Sequence, residues 1–270
     1  MQPHPIKYPT DLTDDEWQQI QSLVPKPKSG KGKRGRPLKL DRRTLLNAIC
    51  YEVRSGCAWR LLPNDFGPWQ TVYGYFRQWS QDWTWTFIHD TLRDWLRKTE
   101  GRQVAPTAAI IDSQSVKTHD QAGESGYDAG KKIKGRKRHL AVDTLGLVLG
   151  IMITSAVTQD RDAAKGLIGT LVKLFGRLQI IWADGGYLGG LIQWVKQLRP
   201  FGKLHLEIVR RCDRSKGFKI LPKRWIIERT FGWFSKSRRL RTDYEVRLDH
   251  SEAMLRICMI RLMVRRLAAI

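Results

Sequence analysis

Three carboxylates, Asp112, Asp184 and Glu228, stand where a strongly basic chain has least reason to keep acids. Asp112 follows the apolar run Ala108-Ala-Ile-Ile111, and Asp184 follows Leu178-Gln-Ile-Ile-Trp182 and one alanine, so each is expected at the carboxyl end of a buried strand. Neighbouring parallel strands lie about 4.8 Å apart, close enough for two such acids to share a pair of divalent ions about 3.5–4 Å apart. Glu228 lies within Arg224-Trp-Ile-Ile-Glu-Arg-Thr-Phe-Gly-Trp-Phe234. At helical spacing Ile227, Phe231 and Phe234 mark the buried face there, with Glu228 at its edge beside Arg224. Hard carboxylate oxygens suit Mg2+, and Gly185-Gly186 leaves room beside Asp184 for a phosphate or a metal. Singly, each acid has a plainer reading. Arg224 and Glu228 can be a surface pair worth roughly 0.2–0.5 kcal/mol, and Asp112 and Asp184 can simply begin turns. Their combination in basic surroundings favours the metal reading. Asp143 belongs to a hairpin turn, Asp160 and Asp162 read as helix caps, and Asp120, Glu124 and Asp128 fall in a glycine-containing loop.

Charge narrows the partner. The 270 residues carry 48 Lys and Arg against 26 Asp and Glu, a formal charge of +22, and a compact fold with that excess repels itself unless a polyanion is present. The cations are spread along the chain rather than gathered on one amphipathic helix, which favours nucleic acid over a membrane surface. MQPHPIKYPT has neither a secretory nor a transit pattern, and Arg256, Arg261, Arg265 and Arg266 interrupt the most apolar late stretch. No C-x-x-C or H-E-x-x-H spacing occurs. The expectation is a soluble cytoplasmic protein with buried thiols and no membrane segment.

The elements that must position the acids divide into two expected domains, with 41% hydrophobic residues and eleven tryptophans to fill their cores. Residues 1–100 read as a small all-α region. Thr13 and Glu16 form a capping box for a helix from Asp14 to about Val24. Residues 26–39 form a basic arm with seven cations and no anion. Its Arg34 and Arg36 can enter an A/T-rich minor groove, and a solvated linker fits equally well. A second helix follows Asp41 and ends at Ser55-Gly56. A third starts near Pro68, burying Trp69, Val72, Phe76 and Trp79 and exposing Gln70, Tyr73, Arg77 and Gln78, the donor-rich face of a helix-turn-helix-like recognition helix. A fourth carries Ile88, Leu92 and Trp95 to a boundary at residues 98–103. From 104 to 270 strand and helix patterns alternate. A strand at Ala108, a hairpin of Arg138–Asp143 with Leu147–Ile153, a helix Asp160–Phe175, a strand ending at Asp184, a helix Leu188–Leu198, a strand Leu204–Val209 and long helices Pro222–Arg239 and Ser251–Leu267 predict a mixed α/β sheet covered on both faces.

Gly130 to His139 holds six cations, Lys131, Lys132, Lys134, Arg136, Lys137 and Arg138, with no acid to fold them back onto the protein. Part of this set is expected to face outward and clamp a DNA backbone beside Asp112, a solvated charge run being the plainer alternative.

These features recur together, in order, in one family. Leu12-Thr-Asp-Asp-Glu-Trp17, Gly35-Arg-Pro37, Arg54-Ser-Gly-Cys-Ala-Trp-Arg60, Leu62–Tyr73, Asp112-Ser-Gln-Ser-Val-Lys117, Lys134–His139, Ala183-Asp-Gly-Gly-Tyr187 and Glu228-Arg-Thr-Phe-Gly-Trp233 cover nearly the whole chain. On them the sequence resembles the DDE transposases of the bacterial insertion sequence five family. The resemblance implies a ribonuclease-H-like mixed sheet flanked by helices, with Asp112, Asp184 and Glu228 as catalytic and metal-binding residues. It further implies two Mg2+ ions, with Mn2+ able to substitute, and cleavage and strand transfer at terminal inverted repeats of double-stranded DNA by a nucleoid-associated homo-oligomer. A metal nuclease without strand joining and a non-catalytic DNA-binding protein are the alternatives. In the family's third motif Arg224 and Glu228 fit, Leu221 replaces a tyrosine, and the lysine position holds Ser235 with Lys236 adjacent, an offset of about 100° around a helix. Arg224 and Lys236 are both expected to meet DNA. The 72-residue interval between the aspartates and the 44 residues from Asp184 to Glu228 imply a compact core without a large insertion.

Overall fold

In the computed structural model, residues 5–26, 40–120, 122–199, 203–209 and 223–270 are described. Arg34, Arg36 and the rest of the arm beyond Lys26 lie outside them, as do Leu221 and Cys212. The chain divides into two units. One comprises Met1–Gly101, Lys236–Leu240 and Ala253–Ile270, the other Arg102–Ser235 and Arg241–Glu252. The sequence reading kept 104–270 in one piece, whereas two late segments group with the first unit.

That first unit is all-helical. Helix α1 (Asp14–Ile20) starts at the expected box, with Thr13 Oγ1 accepting from Glu16 N at 3.2 Å and Glu16 Oε2 accepting from Thr13 N at 2.9 Å. It stops short of Val24, whose amide closes a turn onto Ile20 O. In α2 (Arg42–Ser55) Asp41 caps the start and Gly56, at φ 72°, ends the last turn. Thirteen residues with two 3-10 turns separate α2 from α3 (Trp69–Gln81), where a helix-turn-helix uses three or four. Helix α3 buries Val72, Phe76 and Trp79, with Trp69 only partly covered, and α4 (Thr84–Thr99) buries Trp85, Ile88, Leu92 and Leu96. The late segments bring buried apolar side chains, among them Leu255, Ile260 and Val264, and partners for two buried acids. Glu52 is fully buried with Arg239 at 3.0 Å, and Glu16 meets Arg261 at 2.6 Å, so the late segments supply the counter-charges of these two buried acids.

The second unit is built on six strands. They are β1 (Ala108–Lys117), β2 (Gly126–Asp128), β3 (Ile133–Val142), β4 (Val148–Ser155), β5 (Ile180–Ala183) and β6 (His205–Ile208). Strand β3 pairs antiparallel with β1 on one side and with β4 and β2 on the other, while β5 and β6 run parallel to β1. The order β4-β3-β1-β5-β6, with an antiparallel meander followed by two parallel strands, is a ribonuclease-H-like sheet. Helices α5 (Asp160–Leu174) and α6 (Gly190–Leu198) cover one face, where Ala109, Ile111, Ala141, Ile181 and Ala183 join Leu167, Ile168, Leu171 and Leu191 in one core. Helix α7 (Trp225–Ser235) packs on β1 and β3, and α8 (Leu248–Ala268) follows it.

Four local expectations need correction. Strand β1 continues through Asp112-Ser-Gln-Ser-Val to Lys117, so Asp112 lies inside the strand rather than at its end. Alternating polar residues mimic a loop, but Ser115 Oγ donates to Asp128 Oδ2 at 2.6 Å and so satisfies its hydroxyl on the covered face. That acid lies in β2, which forms within the expected loop. Helix α5 is capped by Gln159 without a side-chain bond, Asp160 and Asp162 occupying its first turn. Helix α7 ends at Ser235, and Arg238–Leu240 is a separate 3-10 turn. Among the described residues, no helix is long and apolar enough to cross a membrane.

Candidate active site

Strand register brings the two aspartates together. Ile110 pairs with Trp182 across β1 and β5, and Asp112 and Asp184 each lie two residues further on, on the same face by the period of two. Their neighbours Ile111 and Ala183 point into the core under α5, which turns both carboxylates to the α7 side of the sheet. Asp112 Oδ1 accepts from its neighbouring Ser113 N at 2.7 Å, and Asp184 Oδ1 from Gly186 N at 2.8 Å, so one oxygen of each is held by backbone. The other oxygen turns to Arg224. Its Nη2 stands 3.7 Å from Asp112 Oδ2, 3.6 Å from Asp184 Oδ2 and 3.8 Å from Glu228 Oε1. These are ion pairs too long for direct hydrogen bonds. Burial pushes the Asp112 carboxyl up to about 6; the Ser113 amide opposes the rise, Asp184 adds to it, and Arg224 and Lys131 oppose it. Tyr187, buried among Asp112, Asp160 and Asp184, has its phenol held well above the usual range, chiefly by burial.

The sequence match that accompanies this geometry is direct. Residues 104–263, more than half of the chain, match the family described as the Transposase DDE domain. The chain belongs to the DDE transposase family. Residues 12–102 match the description "Putative transposase of IS4/5 family", in agreement with the resemblance seen in the motifs. A putative transposase for insertion sequence element IS402 from Burkholderia cepacia is 30% identical over 130 residues, 46% of this chain; the match spans 60% of that relative's length. An insertion element IS402 uncharacterized 16.2 kDa protein from the same organism is 30% identical over 109 residues, 39% of this chain and 73% of its own length. Among solved structures, the Mos1 strand transfer complex aligns over 89% of this chain and 81% of its own at 11% identity with a TM-score of 0.26, too weak a likeness to bear on the site.

DDE transposases generally use a divalent metal. Among the described residues no group of three or more His, Cys, Asp or Glu side chains is arranged to hold a metal ion. The donor types are nevertheless those a hard cation takes, three carboxylates that face a single cationic nitrogen from three parts of the fold.

The expected cation positions fall into distinct groups. Lys131, Lys132 and Lys134 are exposed, Lys131 also donating to Ser113 O at 3.2 Å. Arg136, Lys137 and Arg138 are buried. Arg136 donates to the carbonyls of Glu124, Glu245 and Val246, and Lys137 lies 3.6 Å from Asp128 and 3.3 Å from Asp160. The carbonyls and acids that hold Arg136 and Lys137 inward lie outside the run, so of its six cations Lys131, Lys132 and Lys134 are the exposed ones. On α3, Gln70 and Arg77 are exposed, while Tyr73 is partly covered against Trp59 and Phe76. Lys236 is exposed and belongs to the first unit. Sequence reasoning paired Arg224 with Glu228 and missed that both aspartates share it. It also missed a cation ladder on α7, where Arg229 lies 4.6 Å from the Trp225 ring and 4.9 Å from the Trp233 ring. The spacing of 225, 229 and 233 by four was the available signal.

Proposed function

We propose that this DDE transposase binds the terminal inverted repeats of an insertion sequence and performs cation-dependent cleavage and strand transfer on double-stranded DNA. Asp112, Asp184 and Glu228 hold the cations, Mg2+ or Mn2+. The convergence of these three carboxylates on one point, 3.6–3.8 Å from Arg224 Nη2, carries the reading. Bound there, divalent ions supply Lewis-acid stabilisation of the attacking and leaving oxygens of an in-line phosphoryl transfer. The protein's own part is to orient the acids: Ser113 N and Gly186 N each fix one carboxylate oxygen, and Gly185 leaves open space beside Asp184. Lys131 and Lys132, exposed before β3, and Lys134, exposed at its start, neutralise backbone phosphates, and Gln70 and Arg77 on α3 offer donors to base edges. Arg34, Arg36 and Lys236 add phosphate or groove contacts, residues 1–100 form the DNA-binding region, and two element ends call for a homo-oligomer. The charge of +22 supports a polyanionic partner.

The test is cleavage of DNA carrying the inverted repeats that flank the gene, in Mg2+, followed by joining of precut ends. Asp112→Ala, Asp184→Ala and Glu228→Ala each abolish cleavage and retain end binding. An Asp112→Ala protein that still nicks the ends refutes the site, and hydrolysis without joining by the unaltered protein reassigns it to a nuclease.

A further inference from the structure

Arg224 occupies an unusual place for a basic side chain in a DNA-acting protein: it faces acids. Its Nη2 lies 3.6–3.8 Å from one oxygen of each of the three carboxylates, and only 18% of its side chain is exposed. The three acids come from β1, from the residue after β5, and from α7. Left to themselves, like charges gathered this way repel one another. An i,i+4 pair with Glu228 alone accounts for one of the three contacts and not for the two aspartates.

We infer that Arg224 is a positioning residue that gathers the three carboxylates around one point and competes for them with the divalent cation. The inference rests on the proposed metal role of these acids. A hard cation takes carboxylate oxygens at about 2.0–2.6 Å, far closer than the guanidinium holds them, so the acids cannot serve both partners at full strength. Linkage makes the competition reciprocal: the guanidinium lowers cation affinity by the factor by which the cation weakens the guanidinium's hold. The pairs are loose enough for this exchange, because none is a direct hydrogen bond.

Cation binding to the full chain without DNA tests this, with Mn2+ as probe and calorimetry or electron paramagnetic resonance as readout, together with the melting temperature at each Mn2+ concentration. Arg224→Gln binds Mn2+ at least about fivefold more tightly than the unaltered protein. It also melts lower without added cation, and the difference closes as Mn2+ is raised. Equal or weaker binding by Arg224→Gln overturns the inference, and Mn2+-dependent cleavage by the unaltered protein then leaves the proposed function standing. Asp184→Asn must weaken Mn2+ binding in either background; if it does not, the ion sits elsewhere and both readings fall. Should Arg224→Gln not fold at any Mn2+ concentration, Arg224→Lys decides, since a shorter cation competes less well and must raise affinity, and unchanged affinity overturns the inference.

Discussion

Replacing Arg136 by methionine separates two uses of a basic run, as DNA clamp and as buried scaffold. The side chain is fully buried. Its Nε donates to Glu124 O at 2.8 Å, Nη1 to Glu245 O at 2.6 Å and Ser251 Oγ at 3.0 Å, Nη2 to Val246 O at 3.1 Å, and Nη1 stands 3.3 Å from Asp243 Oδ1. Methionine keeps much of the volume, so what is lost is mostly polar. Removing one partner of a buried ion pair costs about 3–5 kcal/mol, and each carbonyl left buried without a donor adds about 1–3 kcal/mol unless water reaches it. Against a typical domain stability of about 5–15 kcal/mol, the second unit either unfolds or releases residues 241–252. Urea unfolding reads the first outcome, and faster amide exchange confined to 243–251 reads the second. Lys134→Ala, an exposed neighbour in the same run, shifts stability by less than about 0.5 kcal/mol and lowers the salt slope of DNA binding by about 0.9. An Arg136→Met protein with unchanged unfolding free energy and a shallower salt slope would place the side chain on the DNA surface and refute the reasoning.

Gly135→Ala sets a methyl 1.9 Å from Val116 O and 2.9 Å from its carbonyl carbon, backbone atoms of the adjacent strand that cannot yield cheaply; a loss above about 3 kcal/mol is expected in urea unfolding, and a loss below about 0.5 kcal/mol refutes that packing. His89 is fully buried, with Nδ1 against Asp90 at 2.8 Å and Nε2 unpartnered, and burial lowers its pKa to about 4 despite Asp90, with Arg256 and Arg93 also lowering it. Its folded-state pKa is below the unfolded value of about 6.5, so stability is intact above pH 6.5 and falls by roughly 3 kcal/mol as pH drops toward 4. Unfolding midpoints at pH 7 and 4.5 measure this, and His89→Asn flattens the difference. Asp41→Ala removes the acceptor of the Arg43 and Thr44 amides and costs about 1 kcal/mol; melting curves showing no change argue that the cap is idle.

Local signals in the sequence were legible because each is settled within a few residues. The Thr13–Glu16 box, the Asp41 cap, the αL glycine at 56 and the apolar runs before Asp112 and Asp184 all correspond to observed elements. Signals whose meaning depends on distant partners were not. Arg136, Lys137 and Arg138 read as outward cations because the groups that meet the first two lie outside the run, at Asp243 to Ser251 and at Asp128 and Asp160. The extension of β1 was hidden in the same way, its polar residues being satisfied by β2 and β3 rather than by water.

The meeting of Asp112 and Asp184 depends on one nonlocal quantity, the register between β1 and β5. With Ile110 opposite Trp182, Ile181 and Ala183 enter the core under α5 while Asp184 shares a face with Asp112. A slip of one residue would bury Trp182 and Asp184 under α5 and turn Ile181 outward. The charge would then face an apolar core that has nothing to pair with it, at a cost of several kcal/mol. Hydrophobic burial of Ile181 and Ala183 therefore places the second acid. Ile181 and Ala183 select the register by being buried, and Asp184 reinforces it by resisting burial. Substitutions at Ile181 should accordingly impair catalysis through position, whereas Asp184→Asn should spare the fold.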